Sequence, residues 1–321
     1  MRTLTASLDR HQVALYLVAL GLGATAGLLL PAVSGPATTA INPVLGLLLY
    51  VTFLGVPFSR VGESLRDRRF LLTLLVVNFL VAPAAAFTLS RVVAHDRVLL
   101  VGVLLVLLCP CVDYVIVFTG LVGGSRERLL AAAPLLMGAQ MLLLPVYLRV
   151  MVGADVTASI DVEPFVEAFV VLLVLPLLAA GLTQAAARTR IGAAVLDVAA
   201  ATMVPLMMLT LAVVVASQVW GVRSSLGTLA LTVPVYAGFV VVMVVLGATV
   251  SRRARLDVPG RRAVVLSGAT RNSLVVLPLA VALPDAFALV PLVVVAQTLV
   301  ELLALVVLVR LVPRIVPLRS V

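Results

Sequence analysis

The chain has 321 residues, 63% of them hydrophobic and only 12% charged, with a formal net charge of +9. A soluble domain of this length does not bury that much apolar side chain, so lipid is the solvent for most of the chain. All 23 basic residues are Arg and the only histidines are His11 and His95, so P-loop, Schiff-base and HExxH chemistry are excluded and neither cofactor nor metal is expected.

Ten apolar runs are predicted as membrane-spanning helices, each near the length needed to cross about 30 Å of hydrocarbon. In chain order they cover Gln12 to Val33, Ile41 to Phe58, Phe70 to Val93, Val98 to Leu121, Leu129 to Val152, Phe165 to Leu182, Val195 to Val219, Leu226 to Val250, Ala263 to Leu283 and Phe287 to Leu311. Arg2 and Arg10 precede the first run as they would in a signal peptide, but nine more spans follow, and it reads as a retained helix. With the N-terminus in the cytoplasm, eighteen Arg fall on the cytoplasmic side and only Arg91, Arg97, Arg149 and Arg223 on the other. The positive-inside rule therefore predicts a multi-pass protein of the cell's inner membrane with both termini cytoplasmic, and it accounts for the basic charge without nucleic acid. The one remaining Arg, Arg271, falls within the ninth span.

The fifth span carries Pro134, Leu135, Ala139, Gln140 and Leu142, and the tenth carries Pro291, Leu292, Ala296, Gln297 and Leu299, each displaced by 157 residues. The match predicts two five-helix repeats, 1–155 and 156–321. An odd number of spans per repeat forces the copies to enter the membrane from opposite sides. The fourth span is interrupted by Cys109, Pro110, Cys111, Val112, Asp113 and Tyr114, and the ninth by Ser267, Gly268, Ala269, Thr270, Arg271, Asn272 and Ser273. Asp113 and Thr270 are again 157 apart, so the fourth and ninth spans are predicted to be broken and to cross. The fold class is all-α and polytopic, an inverted repeat that binds substrate where the broken spans meet.

These residues resemble the bile acid:sodium symporter superfamily, and within it most closely the arsenite efflux permeases. Pro110, Cys111, Val115, Val117, Phe118, Thr119, Leu121 and Gly124 are similar to the permease pattern P-C-x-x-x-V-x-V-W-S-x-L-x-x-G, with Phe for Trp and Thr for Ser. Asn78, Phe79, Pro83 and Phe87 resemble its N-W-x-x-G-P-x-x-x-F, and Leu299, Val300 and Glu301 resemble a carboxylate-bearing stretch of its last helix. Arg271, Asn272 and Ser273 stand where the bile-acid branch has Q-N-S and the arsenite branch N-N. The resemblance implies a secondary transporter, with Cys111 in the place of a metalloid-binding thiol, a role that suits soft trivalent arsenic. Ile116 stands where the bile-acid branch has Asn and Ser267 where it has Glu, which implies protons rather than sodium as the coupling ion.

The candidate substrate-binding residues are Cys111, Asp113, Arg271 and Asn272. Charges at membrane depth cost on the order of 3 kcal/mol each, so Asp113 and Arg271 face a cavity or each other. Glu301 is either a proton carrier or a fixed partner for an Arg. Asn78, Gln140, Gln297, Tyr114 and Thr270 support the site, the two Gln as ligands or as interhelical glue. On a continuous helix Cys109 lies about 200° from Cys111 and is assigned to packing. The expected function is proton-coupled efflux of arsenite or a related small solute, not an enzymatic activity. The alternatives are an organic-anion transporter that holds a carboxylate with Arg271, or a sensor or channel on the same fold.

Overall fold

The structure is a computed structural model that describes residues 2–55, 67–112, 114–153, 170–281 and 283–317. Asp113, the start of the sixth predicted span and most of the connections at 59–69 and 153–164 lie outside the described residues. Among the described residues all regular structure is helical. We number the helices α1 (Arg2–Leu29), α2 (Ser34–Leu54), α3 (Arg68–Val93), α4 (Arg97–Leu107), α5 (Tyr114–Leu121), α6 (Arg126–Val152), α7 (Leu175–Ala185), α8 (Arg190–Ala230), α9 (Thr232–Arg253), α10 (Val258–Ala269), α11 (Ser273–Val281) and α12 (Val290–Ile315).

Among the described residues, six segments are long and apolar enough to cross a bilayer: α2, α3, α6, Gly192–Ser217 within α8, Gly227–Arg253 and α12. Shorter apolar helices cover Ala14–Leu29, Arg97–Leu107 and Leu175–Ala185. The chain is a multi-pass membrane protein. The seventh predicted span corresponds to Gly192–Ser217, and the helix that carries it, α8, continues to Ala230 because no Pro, Asn or Asp between Val219 and Ala230 halts it.

Both short interrupted spans follow from local chemistry. Asp96 caps α4, its carboxylate accepting from Val98 N at 2.9 Å and Leu99 N at 3.2 Å. Pro110 then ends the helix, since it has no N–H to donate and its ring collides with the preceding turn. In α10 the last helical bond runs from Thr270 N to Leu266 O, after which Thr270 turns extended at φ −104° and ψ 145°. The chain restarts at α11, where Asn272 Oδ1 accepts from Val275 N at 3.1 Å as a side-chain cap.

The helices pack into two compact units. One gathers α1, α2, α7 and most of α8, together with the end of α11. In it Tyr50 Oη and Thr183 Oγ1 lie 2.9 Å apart, and Gln184 Nε2 donates to the carbonyls of Phe53 and Leu54 at 3.2 and 3.1 Å, joining α2 to α7.

The other unit gathers α3 to α6, α9, α10, the start of α11 and α12. Here two glycines permit close approach. A Cβ on Gly102 of α4 would lie 2.7 Å from Val293 of α12, and one on Gly268 of α10 would lie 2.7 Å from Val77 of α3. At one end of this unit Arg128 bridges Asp67 at 3.4 Å and Asp257 at 2.7 Å, and Arg262 donates to Val122 O at 2.7 Å and Val316 O at 3.0 Å. Those contacts bring together the start of α3, the end of α5, the starts of α6 and α10 and the end of α12. At the opposite ends of α3 and α6, Arg91 donates to Met151 O at 3.4 Å. The direction of each helix follows: α4 and α10 run antiparallel, each towards the place where it breaks.

Candidate functional site

The two breaks meet within this second unit. Pro110 and Arg271 form an isolated antiparallel bridge, held by Asn272 N donating to Cys109 O at 2.8 Å and Cys111 N donating to Thr270 O at 3.4 Å. Pro110 therefore occupies the non-hydrogen-bonded position of the pair, the one place in such a ladder where its missing N–H costs nothing. The pairing sets Cys109 opposite Asn272 and Cys111 opposite Thr270, on the same side of the ladder. The assignment of Cys109 to packing assumed helical geometry that the backbone does not keep, and the two thiols share a side. Neither forms a disulfide and both are completely buried.

Arg271 organises the junction. Its side chain is completely buried, and its guanidinium donates through Nη2 to Asn78 Oδ1 at 3.0 Å, Ser267 O at 2.9 Å and Gly268 O at 2.6 Å, and through Nη1 to Leu107 O at 3.4 Å. Leu107 ends α4, and Ser267 and Gly268 lie in the last turn of α10, so one cation neutralises carbonyls at the negative ends of two half-helices. The guanidinium also lies 5.3 Å from the centroid of Phe239, a ring that favours a cation.

Asn78 extends the network to α3. It lies in a π-helical turn, Val77–Val81, where its Nδ2 donates to Leu74 O at 3.0 Å and to Ser267 Oγ at 3.0 Å. Such turns recur at functional sites because they free backbone groups from the regular ladder. On α12, Glu301 accepts the backbone N–H of Arg271 at 2.7 Å and the side-chain amide of Gln297, and Thr298 and Ser273 hydroxyls are 2.8 Å apart.

The structure thus brings Cys111, Thr270, Arg271, Asn272, Asn78, Gln297 and Glu301 into one buried region, while Tyr114 opens α5 and Asp113 lies outside the described residues. Two polar atoms there, Asn272 Nδ2 and Gln297 Oε1, are buried without a hydrogen-bond partner among the described residues, as are both amide atoms of Gln140 on α6. For Gln140 this gives no support to the glue reading. A buried amide with nothing to bond is costly unless water or a ligand meets it. Phe239, Thr298 and the Leu107 carbonyl were not foreseen. Thr298 was findable, since it precedes Glu301 by three residues and so shares its face of α12.

The Sodium Bile acid symporter family model matches residues 42–225, more than half of the chain. The chain belongs to the Sodium Bile acid symporter family. No curated protein matches it. Members of the family are transporters, which gives the chain a small-molecule substrate and a coupling ion. The matched stretch contains the Cys109–Cys111 break but ends before α10, so Arg271, Asn272 and Glu301 lie in the part of the chain that the family model does not cover.

Proposed function

We propose that the chain is a secondary transporter that exports arsenite or a related small, uncharged oxyacid from the cytoplasm, driven by protons. Its ten spans form two inverted five-helix repeats, 1–155 and 156–321, with both termini cytoplasmic in the cell's inner membrane. The antiparallel run of α4 and α10 towards a shared junction supports the inverted arrangement, because equivalent spans of inverted repeats must point in opposite directions. The Arg128 bridges to Asp67 and Asp257 support placing those connections on one side.

The observation that carries the substrate reading is the junction itself. It sets Cys111 and Cys109 beside Thr270 and Asn272, and the Asn272 amide retains an N–H group without a partner among the described residues. Thiols offer soft ligands to trivalent arsenic, and the amide offers a donor to its oxygens. Glu301, or Asp113, carries the coupling proton. Glu301 reaches the break directly through the Arg271 N–H, so a change in its charge is felt where substrate binds. An organic anion held by Arg271 is less well supported, since that guanidinium already donates to four protein oxygens.

The test is arsenite uptake into everted membrane vesicles with an imposed proton gradient. Cys111→Ser should abolish it, and Cys109→Ser should impair it too, because both thiols lie on the same side of the ladder. Uptake unchanged in Cys111→Ser would defeat the metalloid assignment. Taurocholate or another organic anion taken up in place of arsenite would favour the anion reading.

A further inference from the structure

We infer that the Arg271 guanidinium is a tethered replacement for the coupling metal cation: it fills the oxygen cage where the carbonyl ends of α4 and α10 converge, so the transport cycle does not use sodium. The inference rests on membership of a sodium symporter family and not on the identity of the substrate.

The chemistry of the cage leads to this assignment. In inverted-repeat transporters, broken helices present C-terminal carbonyls and unwound backbone oxygens to a coupling cation, since those groups carry the negative end of the helix dipole and have no helical donor. This chain has built such a place. Leu107 O comes from the last turn of α4, Ser267 O and Gly268 O from the last turn of α10, and Asn78 Oδ1 from the π-helical turn of α3. These four are neutral oxygens from three helices, the ligand type that suits a hard monovalent cation. Every one accepts from the guanidinium, at 2.6 to 3.4 Å.

Occupation is permanent. An Arg side chain does not lose its proton under physiological conditions, and this one is wholly buried, next to the Phe239 ring and locked by its own backbone bridge to Pro110. A sodium ion would have to displace a covalently attached cation from its own acceptors and then share a desolvated region with it. Like charges at that depth oppose each other strongly. The remaining feature of a sodium site, a carboxylate, is already engaged by the chain itself: Glu301 accepts the Arg271 backbone N–H and the Gln297 amide. The residues present therefore do not fit a sodium ion as they stand, and removing the guanidinium should create a site that accepts one.

The experiment follows thermal unfolding of the purified full-length protein in matched concentrations of sodium chloride and choline chloride, with 22Na binding by filtration as a second measurement. Neither requires a known substrate, so the outcome is independent of whether arsenite is carried. The wild type should unfold identically in the two salts and bind no 22Na saturably. Arg271→Ala and Arg271→Gln should unfold at lower temperature in choline, recover by several degrees in sodium, and bind 22Na. Arg271→Lys, which keeps a tethered cation, should stay indifferent to sodium. If the neutral variants cannot be purified in choline, purification throughout in sodium should recover them. Saturable 22Na binding by the wild type overturns the inference. It is equally overturned if the neutral variants gain no preference for sodium over choline.

Discussion

Two regions of the molecule invite opposite first impressions. In the unit that holds α2 and α8, a cavity of about 860 Å³ opens between Leu47, Tyr50 and Val51 on one side and Ala194, Val198, Thr202 and Leu206 on the other, with Arg190 at its margin. Its wall is almost entirely apolar. The junction of α4–α5 with α10–α11 instead buries a guanidinium, a carboxylate, three amides and two thiols. In a membrane protein the second region is the informative one. Apolar hollows form wherever helices splay in lipid, whereas buried polar groups persist only if something repays their desolvation. If buried polarity marks the site, substitutions at the junction should matter more than substitutions in the cavity.

The largest effect is expected at Asn78. Asn78→Leu removes the Oδ1 acceptor of Arg271 and the Nδ2 donor to Ser267, leaving a buried charge with one acceptor fewer. The loss should be about 3 kcal/mol, seen as a marked fall in unfolding temperature and in membrane abundance. A variant as stable as wild type would mean that the network is ornamental to the fold, and the case for the junction would weaken.

Glu301→Gln should cost less, on the order of 1 kcal/mol. A Gln carbonyl still accepts the Arg271 N–H, and only the charge-assisted part of the bond disappears. Its effect on transport should be far greater than on stability. Uptake in everted vesicles, measured across a pH series, should lose its dependence on the proton gradient. If stability falls as far as in Asn78→Leu while pH dependence persists, the carboxylate is a structural brace and Asp113 becomes the proton carrier to examine.

The junction was legible in part from sequence. Pro110 announces a break because it cannot donate a backbone hydrogen bond, and Ser267 to Ser273 stands out because small polar residues are costly within an aliphatic span. Their equal spacing located both breaks before any coordinates. Three things were not legible. The antiparallel bridge depends on how two distant segments meet, which no local pattern encodes, and it is this bridge that brings Cys109 to the same side as Cys111. The capping of two half-helices by Arg271 depends on the path of one long side chain, and a lone Arg in a span looks the same whether it binds a ligand or its own carbonyls. The continuation of α8 past Val219 arises because Gly221, Ser224 and Ser225 weaken a helix without stopping it.

The smallest effect is expected in the apolar cavity, and it sharpens the comparison from the other side. Thr202 is one of the few polar groups on its wall, but its Oγ1 donates to the carbonyls of Val198 at 2.9 Å and Ala199 at 3.2 Å within its own helix. Such a back-bonded hydroxyl presents little to a ligand and contributes little to the helix, and Val preserves its branched shape. Thr202→Val should therefore change stability by no more than about 0.5 kcal/mol and leave arsenite uptake at wild-type levels. A Leu47→Phe companion tests the space itself by filling it with a ring. Solute passing through this hollow would be obstructed by the ring and indifferent to the hydroxyl. Solute passing through the junction would be indifferent to both. Uptake that fails in Leu47→Phe, with abundance and unfolding temperature unchanged, would move the route to the cavity and leave the buried polar junction as a lock on the fold.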